Sequence, residues 1–351
     1  MADGRGLSRK RAGRSPALGA LEHGWWQPLT LWRRLLLLPL SWLYRALAAL
    51  HRALTQPEPL PVPVVVVGNL IAGGAGKTPT VLATVELLRR AGWSPGIVSR
   101  GYGRHASEVR LVRADSAAAE VGDEPLLLWR RSGVAVAVGR NRVAAARALL
   151  RADASIDCIV SDDGLQHHRL PRDAQVVVFD ERGVGNGQLL PAGPLREPLR
   201  SHPPPRTLVL YNAERPSTAW PGFRATRRLA GALALDDWWR GAPSSAEALA
   251  ALRGRSVLAA AGMAAPARFF AILEAAGLRV TRCPLPDHHD YAELPWPPHT
   301  ADVVVTEKDA VKLRPERIAP PTRVWVVTLD FAPEPAYADA LLALLPARTP
   351  A

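Results

Sequence analysis

The chain has 351 residues, 48% of them hydrophobic, enough for two ordinary globular α/β domains, each with its own core. Two cysteines, Cys158 and Cys283, exclude a disulfide framework and a thiolate metal site and fit a reducing compartment. A formal net charge of +12 points to an anionic partner: nucleic acid, an anionic membrane surface or a phosphorylated substrate. General arginine usage is the competing explanation for the bulk of that charge, since the chain holds forty arginines against four lysines.

Residues 1–24 read as a basic, disordered arm. Residues 25–54 include LTLWRRLLLLPLSWLYRALAALHRAL, which is apolar but interrupted by Arg33, Arg34, Pro39, Arg45 and Arg52. The longest uncharged run, Leu35 to Tyr44, is ten residues, about half of the roughly 20 that a spanning helix needs. No small-residue cleavage site follows, so a secretory signal is disfavoured. With Trp25, Trp26, Trp32 and Trp42 concentrated here, the segment reads as a helix lying in a membrane interface, tryptophans at headgroup level and arginines on anionic lipid. The alternative is a helix whose apolar stripe packs on the protein's own core.

Val64 to Val67 read as a buried parallel strand, and the apolar pattern from Pro79 onward reads as a helix. Between them lie Gly73, Gly74, Ala75 and Gly76, followed by Lys77, Thr78 and Pro79. Glycines there let backbone N–H groups converge on phosphate oxygens at a helix N-terminus. Lys77 would reach the β/γ-phosphates and the Thr78 hydroxyl would ligate Mg²⁺. Only the GGAGKT half of the phosphate-loop pattern fits, because the position of its first glycine is occupied by Ile71. Lysine scarcity sharpens the reading: Lys77 is one of four.

SPGIVSRGYGR reads as a second strand ending in a loop with Ser99, Arg100, Tyr102 and Arg104, at the end of a strand where open α/β sheets bind ligands. In VGDEPLLLWRR, Asp123 and Glu124 fall in a first helical turn, and from spacing alone Asp123 is an N-cap. A strand over Val134 to Val138 leads to Arg140 and Arg142, which suit phosphate or sugar contacts. The strand Ile156 to Val160 ends in Ser161, Asp162 and Asp163, followed by Gln166, His167 and His168. A carboxylate at such a strand end holds the Mg²⁺ shared with a nucleotide, and beside a phosphate loop Mg²⁺ is a simpler cation than a transition metal bound by the two histidines. The histidines then read as hydrogen-bonding loop residues or as groups ordering the metal's waters.

A glycine- and proline-rich loop ends in Pro203 to Pro205, a boundary candidate. Beyond it, strands near Thr207, Val257, Val303 and Val324 and a helix from Pro266 to Ala276 predict a second α/β unit. The domains expected are therefore the arm (1–24), the membrane-interface helix (25–54), a P-loop kinase domain (55–204) with a helix-flanked parallel sheet, and a smaller C-terminal α/β domain (205–351).

Taken in order, GNLIAGGAGKTPTV, SRGYGR, VGDEPLLL, VAVGRNRVAAARALL, SDDGLQHHRLPRD, LLPAGPLREPL, PDHHDY and TEKDAVK resemble the blocks of the tetraacyldisaccharide 4'-kinase family over roughly residues 30–330. The resemblance implies ATP and Mg²⁺ as cofactors and phosphorylation of the 4'-hydroxyl of an acylated glucosamine disaccharide 1-phosphate, giving lipid IVA. It implies a Gram-negative enzyme, peripheral or monotopic on the cytoplasmic face of the inner membrane, with its active site in a cleft completed by the C-terminal domain. It also implies roles: Lys77 and Thr78 at phosphates and Mg²⁺, Asp162 and Gln166 in the metal region, and an aspartate–histidine pair as catalytic base and partner. That pair falls on Asp123 and His288, with His289 adjacent. The basic N-terminal arm departs from the family's pattern.

Nucleic acid is not an expected partner, because no paired cysteines, RNA-binding aromatic strand or basic aromatic stripe occurs in the globular part. No obligate protein partner is evident. Two other functions compete. A membrane-bound nucleotide-switch ATPase would share GGAGKT, but Ala72 stands where its signature lysine belongs. A kinase of a soluble sugar or nucleoside would have no use for an interfacial helix.

Overall fold

The computed structural model describes residues 16–104, 108–263 and 265–347; the first fifteen residues of the expected arm lie outside them. Contacts divide the chain into two compact units along lines that do not follow a boundary at residue 204. One comprises the described part of Met1–Leu54 with Leu70–Ala72 and Arg182–Arg200; the other holds Thr55–Asn69, Gly73–Glu181 and Ser201–Ala351.

In the larger unit the described residues form twelve strands: β1 (Val64–Gly68), β2 (Pro95–Ser99), β3 (Arg110–Leu111), β4 (Val136–Val138), β5 (Cys158–Asp162), β6 (Ala174–Asp180), β7 (Thr207–Asn212), β8 (Phe223–Ala234), β9 (Ser256–Ala261), β10 (Arg279–Pro284), β11 (Asp302–Thr306) and β12 (Arg323–Pro333). They hydrogen-bond in one order, β10-β9-β11-β12-β8-β7-β6-β1-β5-β2-β4-β3. The pairing is parallel except for β3 with β4 and β8 with β12. Strands on both sides of Pro203 to Pro205 thus belong to a single sheet, joined because β8 pairs with β7 through Phe223 and Arg224 and with β12 along its remaining length.

The four valines of β1 are fully buried, as a central parallel strand covered on both faces requires. Its neighbours are β5 and β6, and the register sets Val67 beside Asp162. Two helices of this unit matter most for function. One, Lys77–Arg90, buries Thr80, Val81, Thr84, Val85 and Leu88, a stripe at helical spacing that packs it on the sheet. The other, Asp123–Ser132, buries Leu126 and Leu128 completely and so is held along its length.

The smaller unit contains helices α1 (Pro16–Gly24) and α2 (Leu31–Leu54). Helix α1 corrects the expected arm, which was carried to residue 24. The Ser41 hydroxyl of α2 donates to Leu189 O at 2.9 Å and accepts from Ala192 N at 3.1 Å, and Tyr44 donates to Arg196 O at 2.9 Å. A polar face of α2 therefore docks on the 182–200 segment. The opposite face leaves Trp32 (61%), Leu35 (73%) and Trp42 (66%) exposed, together with Leu43, Leu47, Leu50 and Leu54. No described helix is long and apolar enough to cross a membrane.

The end of β1 packs against the loop that follows β5. A Cβ added at Gly68 would lie 2.7 Å from Leu165 Cγ, and Leu165 is itself buried. We expect Gly68→Ala to destabilise the protein by about 1–3 kcal/mol, the usual cost of overpacking, read as a lowered urea midpoint with an unchanged slope.

Candidate active site

The phosphate loop is built as the sequence requires. Gly73 and Gly76 have φ of 96° and 88°, a left-handed backbone that favours glycine. Gly76 caps the helix Lys77–Arg90, so the N–H groups of Lys77 and Thr78 have no partner within the helix. Pro79 has no N–H and brings only its preset φ to this turn. The Lys77 ammonium folds back over the loop, donating to Asn69 Oδ1 at 3.2 Å and to Gly73 O at 3.4 Å, and lies 3.6 Å from Asp163 Oδ1.

The strand-end acids lie in the same neighbourhood. Asp162 is 2% exposed; its Oδ2 accepts from the Ser99 hydroxyl at 2.9 Å, while Oδ1 is buried with no hydrogen-bond partner among the described residues. Burial, with the charges of Glu124 and Asp163 adding to it, pushes the Asp162 carboxyl up to about 7 against the opposing pull of Lys77 and Ser99. Gln166 Nε2 reaches Asn69 O at 3.5 Å, which ties this loop to the residue that also receives Lys77. No group of three His, Cys, Asp or Glu able to hold a metal occurs among the described residues. Magnesium needs no such cage, because it keeps several waters and uses one or two carboxylates with substrate phosphates. The unpartnered oxygen of Asp162 fits that demand.

His167 belongs to the scaffold. Its Nε2 accepts from Arg142 N at 3.2 Å, and burial together with Arg142 lowers it to about 4, which keeps the ring neutral. Arg142 also donates to Asp163 O at 3.3 Å, so this arginine braces the turn behind the acids.

Asp123 is the first residue of its helix, and Gly122, with φ 95°, occupies the cap position. The carboxylate is 7% exposed, and Asp123 Oδ2 accepts from His288 Nδ1 at 2.8 Å. His288 sits at φ 61°, a left-handed conformation rare for a residue with a side chain. Its neighbour His289 instead packs edge-on against Tyr291 with ring centroids 4.8 Å apart. Burial alone would raise the Asp123 carboxyl, but the His288 hydrogen bond together with Lys308 and Lys312 outweighs it and holds the group down at about 2.

Sequence reasoning left the two lysines of TEKDAVK without a role. Lys308 bridges Glu124 Oε1 at 3.3 Å and Asp287 Oδ1 at 3.1 Å; Lys312 pairs with Asp309 Oδ1 at 3.2 Å and lies 4.0 Å from Asp123 Oδ2. They tie the helix of Asp123 to the loop of His288. The available signal was that half of the chain's lysines fall four residues apart in one segment.

A family model described as tetraacyldisaccharide-1-P 4'-kinase matches residues 33–346. The chain is 59% identical to the tetraacyldisaccharide 4'-kinase of Methylibium petroleiphilum, over 86% of this chain and 89% of that one. It is 56% identical to the enzyme of that name from Leptothrix cholodnii, over 89% and 92% of the two chains. The crystal structure of apo-form LpxK from Aquifex aeolicus in complex with ATP superposes with a TM-score of 0.73 at 26% identity, covering 90% of this chain and all of that one.

The raised Asp162 carboxyl makes a signed prediction about stability. Its folded pKa lies above the unfolded value of about 3.9, so its contribution is present below pH 4 and is lost as pH rises through 7. Asp162→Asn carries no such loss. Without Mg²⁺, the variant should exceed the native chain in stability above pH 7, and the two should converge near pH 4. Urea denaturation at both pH values checks this.

Proposed function

This chain belongs to the tetraacyldisaccharide 4'-kinase family, and from that premise we propose which of its residues carry the reaction. The chain is a kinase that uses ATP to phosphorylate the 4'-hydroxyl of a tetraacyldisaccharide 1-phosphate, forming lipid IVA in lipid A biosynthesis. The observation that carries our assignment of roles is the 2.8 Å pair of Asp123 and His288 in a neighbourhood shared with Lys77 and the strand-end acids.

Lys77 and the free N–H groups at the start of its helix hold the phosphate chain, with Gly73, Gly74, Ala75 and Gly76 shaping the turn. Mg²⁺, held by the Thr78 hydroxyl and Asp162 with Gln166 ordering its shell, would offset charge on the β- and γ-phosphate oxygens. Asp123 orients the sugar hydroxyl and accepts its proton. A carboxylate held near 2 is a weak base, so it takes that proton late, after the forming O–P bond has made the hydroxyl acidic. His288 fixes the carboxylate's orientation, and the two lysines keep it ionised.

The exposed stripe of α2 lies on an anionic lipid surface, the cytoplasmic face of the inner membrane, where an acylated substrate resides. Trp32 and Trp42 sit at headgroup level. Residues 205–351 supply His288, Lys308 and Lys312, so the C-terminal half completes the site.

Purified protein, radiolabelled ATP and a panel of acylated disaccharides test the substrate directly, and only the 1-phosphorylated, tetraacylated acceptor should be labelled efficiently. Asp123→Asn should lower kcat by about 10²–10⁴ with ATP affinity little changed; an unchanged kcat removes Asp123 from the reaction. In a flotation assay with phosphatidylglycerol vesicles, the triple variant Leu35→Glu, Leu43→Glu, Leu50→Glu should bind at least about tenfold more weakly. Undiminished binding would locate the membrane contact elsewhere.

A further inference from the structure

A cavity of about 570 Å³ lies wholly within the smaller unit, between the turn that precedes α2 and the loop at residues 185–188. Trp26, Leu29, Arg34, Leu38 and Gln188 help to line it, and no acidic side chain among the described residues does. Its walls are tied together by the backbone. Trp25 Nε1 donates to Pro191 O at 2.9 Å, and Trp25 O accepts from Asn186 N at 2.8 Å. Asn186 is satisfied in turn, donating from Nδ2 to Ala192 O at 2.9 Å and accepting from Gln188 N at 3.0 Å. A Cβ at Gly185, whose φ is 57°, would fall 2.6 Å from Trp25 O, so the loop reaches the turn only as glycine.

Two polar side chains on these walls are left with nothing to bind. Neither the Arg34 guanidinium nor the Gln188 carboxamide has a hydrogen-bond or ion-pair partner among the described residues. Arg182 lies 4.6 Å from the centre of the Trp26 ring and adds positive charge at that wall. Arg34, Leu38 and Ser41 recur at helical spacing, so they share the face of α2 that Ser41 docks on Leu189, opposite the exposed stripe of Trp32, Leu43 and Leu50. A helix with its side chains is roughly 10–12 Å across. With the stripe immersed in hydrocarbon, the face of Arg34 therefore stands at the depth of lipid phosphates.

We propose that this cavity holds the headgroup of an anionic bilayer phospholipid, its phosphodiester gripped by Arg34. A guanidinium fork matches two phosphate oxygens, the Gln188 amide donates to a phosphate or glycerol oxygen, and Leu29 and Leu38 cover the first methylenes. The volume suits such an occupant, since small-ligand sites span roughly 300–1,000 Å³. The occupant is a bilayer lipid and not the acceptor, because every lining residue belongs to the unit that carries the stripe and none to the groups assigned to the nucleotide, metal or base. One headgroup thereby clamps the start of α2 at the surface and makes docking selective for anionic lipid. This inference rests on the reading of α2 as a helix lying on a membrane.

Titration of the full chain in neutral detergent with glycerophosphoglycerol, the phosphatidylglycerol headgroup freed of its acyl chains, tests the cavity, with the ligand's ³¹P signal as readout. Binding should saturate at one site. Glycerophosphocholine should bind about fivefold more weakly, because its ammonium meets the arginine. Arg34→Gln should bind glycerophosphoglycerol about tenfold more weakly; Arg34 is exposed, so the substitution leaves packing intact. Equal affinity of the two chains, or no saturable binding by the native one, would overturn the proposal. Glucosamine disaccharide 1-phosphate, the acceptor's headgroup without its chains, should leave glycerophosphoglycerol bound. Its displacement of that ligand would give the cavity to the acceptor and overturn the proposal as well. Flotation of the native chain with phosphatidylglycerol vesicles separates the two readings: a chain that floats but binds no headgroup loses the cavity site and keeps the membrane contact, whereas a chain that does not float loses both.

Discussion

The register that sets Val67 beside Asp162 is the constraint from which the site follows. Parallel strands with both faces covered end on the same edge of the sheet, so the loop after β1 and the acids after β5 must share one small space. The same burial that makes β1 a run of valines takes Asp162 out of water. A carboxylate there is unfavourable, which is why burial raises its pKa, and one of its oxygens has no hydrogen-bond partner among the described residues. The fold thereby creates its own demand for positive charge, and Lys77 meets it only in part.

Charge around the reacting groups differs in kind from charge elsewhere on the chain. Arginine dominates overall, yet Lys77, Lys308 and Lys312 pair with Asp123, Glu124, Asp163, Asp287 and Asp309, with Arg142 behind Asp163. An ammonium is a compact point charge that reaches several carboxylates at once, whereas a guanidinium is a planar fork suited to one. Lys308 spans Glu124 and Asp287, and Lys312 spans Asp309 and the edge of Asp123. Acids still outnumber lysines in this cluster, inside a chain of positive net charge.

How far the sequence foretold this varies with the range of the interaction. The phosphate loop, the acids at the end of β5 and the helix beginning at Asp123 were legible because each is set by residues close in sequence. Strand β8 was not: FRATRRLAGALA mixes arginines with small residues, since part of it is exposed while its end is buried. Strand β10, RVTRCP, lies at the sheet's edge with no fully buried position and has no apolar run to announce it. Lys308 and Lys312 carry no motif; they matter through partners brought near only by the sheet order. Choosing between His288 and His289 needed the left-handed turn that aims the first at Asp123 and leaves the second on Tyr291. The grouping of α2 with residues 182–200 was equally hidden, because Ser41 and Tyr44 hold that segment through its backbone carbonyls, which any sequence supplies.

Helix α2 inverts the usual arrangement. A helix on a soluble protein turns its apolar stripe to the core and its polar side to water. Here the side facing protein uses hydroxyls and the ion pair of Arg52 with Glu197 at 3.6 Å, while leucines and tryptophans are exposed on the other. Leaving so many large apolar side chains in water is unfavourable by an amount that scales with their area, and the polar contacts behind them do not offset it. The balance changes sign when the outer face meets hydrocarbon. The hydroxyl and carbonyl bonds hold the helix at a fixed rotation about its axis, and that rotation decides which residues are exposed. Orientation is thus set by the polar face, while the apolar one is left exposed, the arrangement that a helix lying on a membrane surface would need.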